Sequence, residues 1–177
     1  MDQHRTELAI AEKMLAEKPT DPEVQKVVSA KTRALNDFEL KEFQRRVERF
    51  PTDLGIRADL GIRLARAGLY DQAIVELQRA KTAPGRKQEA TVWLGHCFFA
   101  RKNARLAKRN WEEALASISS GDQKNFLELH YWLGRACEEQ GEKTEAINHY
   151  DEVAAIEYGY RDVAQRLDKL SAPEPGT

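Results

Sequence analysis

Cysteine, proline and long hydrophobic runs are scarce in this chain. Its 177 residues include two cysteines, Cys97 and Cys137, and they lack the CxxC spacing of metal sites and redox motifs. We interpret both as small buried hydrophobic residues. No apolar stretch is long enough to span a bilayer, and the N-terminal residues do not have the organisation of a signal peptide. These features predict a cytoplasmic protein without a disulfide framework.

An excess of charge of one sign is also lacking. The 28 basic and 29 acidic side chains give a formal net charge of -1. Such a mixed surface produces no net field that would attract nucleic acid or an anionic membrane. The one basic run, Arg101 to Arg109, is the best candidate for contact with RNA or phosphate. Because Lys108 and Arg109 each have a glutamate four residues further on, we favour a solvated helix face for this run.

Residue sets that would indicate an enzyme are missing as well. The four histidines are His4, His96, His130 and His149. They form no HExxH motif and no pair at ligand spacing on one helix. No glycine-rich phosphate loop follows a predicted strand, and no strand is predicted. The sequence therefore predicts no catalytic site, no metal site and no cofactor.

The chain does contain a repeated pattern built on the dipeptide Leu-Gly. The dipeptide occurs at Leu60-Gly61, Leu94-Gly95 and Leu133-Gly134. Each copy is followed at a fixed distance by an alanine and then by a large residue: Ala73 and Leu77, Ala107 and Trp111, Ala146 and Tyr150. A glycine inside a helix costs about 0.5–1 kcal/mol relative to alanine, so close packing must offset that cost. We expect each glycine to face the alanine of the following helix.

This pattern resembles the tetratricopeptide repeat, a 34-residue unit of two helices. The resemblance implies an all-α, right-handed α-solenoid that forms one array over residues 1–170. Whole repeats are expected at 54–87, 88–121 and 127–160. The chain departs from the family at Arg57, Thr91 and His130, which stand where a large residue usually precedes the leucine.

Shorter segments flank the three repeats. Residues 5–18 have the apolar spacing of an amphipathic helix and are either an N-terminal cap or the end of a repeat in a longer array. Residues 22–53 form a degenerate repeat or, alternatively, one longer helix. A capping helix is predicted at 161–170 and a disordered tail at 171–177.

The resemblance also implies a concave groove lined by the first helix of each repeat. Transferred position by position, its residues are Ile62, Arg66, Val92, Trp93, His96, Phe99, Tyr131, Trp132 and Arg135. The middle of this groove is aromatic, and soluble monomers seldom leave such a patch bare. We predict a non-catalytic scaffold or adaptor that binds an apolar peptide or helix of another protein. Arg66 and Arg135 would orient acidic groups of that partner.

Alternatives to this groove stay open. In one of them Trp93 and Trp132 pack between neighbouring repeats, since aromatic residues at helical spacing commonly belong to a core. The N-terminal helix of the chain is another candidate to fill the groove. A further hypothesis makes the chain a structural or self-assembling segment of a larger repeat protein or homo-oligomer.

Overall fold

A computed structural model describes residues 2–172, apart from the side chain of Asp2, and the chain is helical without strands over that range. The chain divides between Ala83 and Pro84 into two compact units. The first unit contains α1 (Asp2–Glu17), α2 (Pro22–Arg49), α3 (Leu54–Arg66) and α4 (Tyr70–Ala80). The second unit starts with the 3-10 turn Pro84–Arg86 and contains α5 (Lys87–Ala100), α6 (Ala104–Leu115), α7 (Gln123–Gln140), α8 (Lys143–Ile156) and α9 (Val163–Ser171). The single array predicted over residues 1–170 stays a prediction.

The long helix α2 corrects the expectation of a degenerate two-helix repeat at 22–53. It runs for 28 residues, with Pro22 in its first turn. Asp21 begins it by accepting hydrogen bonds from the backbone N–H groups of Glu23 and Val24 at 3.0 and 3.4 Å. After Pro22 the sequence has no glycine or proline until Pro51. A proline at 51 disfavours helical geometry at the preceding residue, Phe50. Without a breaking residue the helix continues, and the alternative of one longer helix is the correct one.

A buried carboxylate links three helices of the first unit. Glu39 on α2 is only 4% exposed. It forms ion pairs with Arg5 of α1 at 2.8 Å and with Arg63 of α3 at 3.2 Å, and the Arg63 guanidinium lies 4.4 Å from the centre of the Phe43 ring. Burial opposes the charged form of Glu39, but its arginine partners outweigh burial and lower its pKa. The ionised carboxylate therefore organises this part of the unit.

A Cβ added to any of the three repeat glycines would first meet the large residue of the next helix, whereas the sequence suggested the alanine. A Cβ added to Gly61 would lie 2.7 Å from Cγ of Leu77, and one added to Gly134 would lie 2.5 Å from Cε1 of Tyr150. At Gly95 the added atom would lie 2.5 Å from Cδ1 and Cε2 of Trp111 and closer still to Nε1. Each glycine is therefore a receptor for one bulky buried side chain.

A polar network ties α9 to the end of the second unit. Arg166 of α9 binds both carboxylate oxygens of Glu138 at 2.8 and 3.0 Å and pairs with Asp162 at 2.9 Å. The Tyr150 hydroxyl also donates to Glu138, and its burial together with this hydrogen bond raises its pKa. The range predicted for a disordered tail overlaps α9 at Ser171, and residues 173–177 lie outside the described part of the chain.

Candidate functional site

A cavity of about 350 Å³ lies between α5 and α7 in the second unit. It is lined by Gln88, Glu89, Val92, Trp93, His96, Asn125 and Glu128. Val92, Trp93 and His96 were predicted as groove residues, and the helical periodicity of α5 places them on one face. The polar part of the lining is acidic, because Glu89 and Glu128 supply its charged side chains.

An aromatic cluster lies beside this cavity and joins three helices. Trp132 of α7 stacks on Trp111 of α6 at 5.6 Å between ring centres, and it contacts His96 and Phe99 of α5 at 5.0 and 5.7 Å. The indole N–H of Trp132 is buried without an acceptor among the described residues. One alternative placed both Trp93 and Trp132 between neighbouring repeats. Trp132 does pack between helices of adjacent repeats, together with Phe99, whereas Trp93 lines the cavity.

Burial sets the charge state of the histidine in this cavity. It lowers the pKa of His96 to about 4, because the protonated ring would lose its hydration among aromatic neighbours. His96 is therefore neutral at physiological pH. It can offer one hydrogen-bond donor and one acceptor to a ligand, but no positive charge.

Two other predicted groove residues belong to the core. Ile62 is 3% exposed in the first unit, and Tyr131 is 5% exposed in the second. The Tyr131 hydroxyl donates to Asp162 at 3.0 Å, at the junction with α9. Because they are buried, these side chains offer little surface to a partner. The burial of Tyr131 depends on α9, a helix that the repeat pattern does not contain.

The two predicted groove arginines have different surroundings. Arg66 is exposed at the last position of α3 in the first unit. Arg135 lies in the second unit, where its guanidinium is 5.7 Å from the centre of the Phe99 ring and donates to the Tyr131 hydroxyl at 3.4 Å.

Arg161, between α8 and α9, contacts two predicted groove residues and was missed by sequence reasoning. Its guanidinium lies 4.6 Å from the ring centre of Tyr131 and 5.5 Å from that of Trp132, and it pairs with Glu128 at 3.6 Å. Its backbone is left-handed, with a φ of 50°, which is uncommon for a residue other than glycine. No sequence signal marks it, since the repeat motif ends before it.

Polar residues also face each other between the two helices of a repeat, at the positions where the chain departs from the family. In the first unit Arg57 pairs with Glu76 at 2.7 Å, and in the second unit Nδ1 of His130 lies 3.3 Å from Nδ1 of His149. The equivalent residues Thr91 and Asn110 are buried, and each hydrogen-bonds a backbone carbonyl of its own helix. The members of each pair are 19 residues apart, a constant spacing that could have revealed the histidine pair.

Among the described residues, one set of three groups has the compactness of a metal site: Cys137, Glu142 and Glu145. The Lys108 ammonium already bonds both carboxylates. Burial opposes its charge, but these bonds raise the pKa of Lys108, whereas burial raises the pKa of Cys137 to about 12. The thiol is thus protonated and the cluster is a salt bridge. Because Lys108 is held in this salt bridge, it is not available for the RNA contact considered for the basic run.

Comparison with known proteins identifies the class of fold. The chain has an all-α, tetratricopeptide-repeat-like fold of the α-solenoid class, as the sequence predicted. A crystal structure of MamA is similar to it with a TM-score of 0.68, at 20% identity over 81% of both chains. A thermophilic tetratricopeptide-repeat protein of Thermus thermophilus is similar with a TM-score of 0.60, at 20% identity over 96% of this chain and 91% of that one.

Similarity at the level of sequence is absent from the other comparisons. No protein-family model matches the chain, and no curated protein matches it either. Within residues 2–172, no helix combines the length and apolar character that crossing a membrane requires.

Proposed function

We propose that the chain is a non-catalytic interaction module that binds a peptide or helix of a partner protein in the cavity between α5 and α7. The observation that carries this proposal is the cavity itself, which Val92, Trp93 and His96 line together. Helical repeats commonly use the face of their first helices for binding, and aromatic side chains there provide large contact areas. A cytoplasmic location, based on composition, belongs to the same proposal.

The lining of the cavity supports a proposal for the chemistry of the partner segment. Val92 and Trp93 provide apolar surface for an anchoring side chain, and neutral His96 provides a hydrogen bond. Glu89 and Glu128 add carboxylates, each paired on one side with an arginine at 3.2 or 3.6 Å. We propose an apolar anchor next to a basic residue, because a second cation adds to these pairs whereas an acidic residue would be repelled.

Selection from a random peptide library displayed on phage tests the proposal. Enriched peptides would be synthesised, and their affinity measured by fluorescence polarisation with the wild type and with Val92→Asp and Trp93→Ala. We expect both variants to weaken binding at least 30-fold, which corresponds to a loss of about 2 kcal/mol typical of a hot spot. Glu112→Lys, on an exposed part of α6, is the control and should bind as the wild type does.

Each variant must retain the helical circular dichroism and melting temperature of the wild type. Peptides that bind Val92→Asp as tightly as the wild type would place their site elsewhere. A library that yields no enriched peptide would also count against this proposal and favour the structural hypothesis.

A further inference from the structure

The pair His130 and His149 carries an inference that is independent of the proposed function. His130 lies on α7 and His149 on α8, so the repeat brings together two side chains that are 19 residues apart. His130 is 9% exposed, and its ring also contacts Phe126, with 4.2 Å between ring centres. The packing of the helices therefore fixes the position of at least one ring before any ligand binds.

The spacing of the two nitrogens matches that of two ligands on one metal ion. Two imidazole nitrogens at about 2.0–2.1 Å from a tetrahedral zinc ion are about 3.3–3.4 Å apart. The two Nδ1 atoms are 3.3 Å apart. In the absence of metal, the Nδ1–H of one ring donates a hydrogen bond to Nδ1 of the other. If that proton moves to Nε2 of its own ring, both rings remain neutral and both Nδ1 lone pairs become available.

We propose that His130 and His149 form the nitrogen ligands of a site for a divalent transition-metal ion such as Zn2+, with water completing the coordination. A cavity of about 690 Å³ that His130 helps to line gives solvent access. Its walls come from Leu115, Ile118, Phe126 and Ile156 and from the loop between α6 and α7.

The charges around the pair are compatible with a bound cation. Burial, His130 and Lys108 lower the pKa of His149 to about 4, whereas Glu145 and Glu152 act in the opposite direction. Burial also lowers the pKa of His130. Both rings are therefore neutral at pH 7, as metal ligation requires. Lys108 opposes a second cation, but Glu142 and Glu145 already neutralise it.

The second repeat provides a matched variant for the test. His130→Thr combined with His149→Asn installs the residues Thr91 and Asn110 that the chain itself uses at the equivalent positions. Metal-free protein, prepared without a histidine tag, would be titrated with Zn2+ at pH 7.5 by calorimetry. We expect one equivalent to bind to the wild type and at least tenfold weaker binding to the double variant. Long-range 1H-15N spectra should show Zn2+ shifting the ring nitrogens of these two histidines.

Further variants separate this site from other ligands in the chain. His4→Asn and Cys137→Ala should keep the affinity of the wild type, because neither change touches the proposed ligands or the charges beside them, and Cys137→Ala removes one group of the compact set Cys137, Glu142 and Glu145. The single variant His149→Asn, at the more exposed ring, replaces the double variant if that one fails to fold. The proposal is overturned if wild-type protein binds no Zn2+, if the histidine variants bind as tightly, or if Cys137→Ala loses the binding instead.

Discussion

Replacing Gly95 by alanine should destabilise the protein, although alanine is the better helix former. Alanine in place of a helical glycine gains about 1 kcal/mol from backbone entropy. The new Cβ would lie 2.5 Å from two atoms of Trp111, which is 0% exposed. Overpacking of this kind costs about 1–3 kcal/mol. Displacing the indole also threatens its hydrogen bond to the Val92 carbonyl at 3.2 Å, worth about 1 kcal/mol. We expect a net loss of about 1–3 kcal/mol.

Urea unfolding followed by circular dichroism measures this loss, and two other glycines serve as controls. An added Cβ at Gly121 meets no atom within 4 Å, so Gly121→Ala should change stability by less than about 0.5 kcal/mol. Gly61→Ala should cost less than Gly95→Ala, because it meets the more flexible side chain of Leu77. If Gly95→Ala proves as stable as the wild type, the receptor role assigned to this glycine is wrong.

Three further predictions concern charged and titratable groups. His96 and His149 have folded-state pKa values of about 4, below the ordinary 6.5, so the unfolded chain binds more protons as the pH falls from 6.5. Unfolding free energy should then drop by about 1.4 kcal/mol per pH unit for each histidine, and a flat urea midpoint between pH 7 and 5 would contradict this. Arg166→Ala should cost about 2 kcal/mol and accelerate hydrogen exchange in α9, since it leaves Glu138 without its cation; unchanged exchange would refute the network's role. Glu39→Gln should lower the unfolding free energy by about 1–2 kcal/mol at pH 7. At a pH low enough to protonate the wild-type carboxyl, the variant and the wild type should have the same unfolding free energy.

The repeat motif made the three helical pairs predictable. Leu-Gly, alanine and a large residue mark where two helices cross, and that signal lies in local spacing. The partner of each glycine was not predictable in the same way, because spacing alone does not show whether a small residue meets another small one or receives a bulky side chain. The structure shows the second arrangement at Gly61, Gly95 and Gly134.

Features outside the motif were harder to infer. Helix α2 has no breaking residue, so apolar spacing alone suggested a turn that does not exist. Tyr131 is buried because Asp162 and α9 pack over it. Arg161 contacts the rings of Tyr131 and Trp132 from the loop between α8 and α9. Such contacts depend on tertiary packing beyond the last repeat. Ligand spacing along one helix does not relate His130 to His149, because the repeat brings them together across two helices.

The three tryptophans of the chain, Trp93, Trp111 and Trp132, all lie in the second unit. Indole fluorescence therefore reports on that half alone, while far-ultraviolet circular dichroism reports on every helix. The natural chain thus carries an optical label on one half, without any chemical modification. Coincident transitions in the two signals would reveal a single cooperative array, and a fluorescence change separated from the helical signal would reveal halves that melt independently.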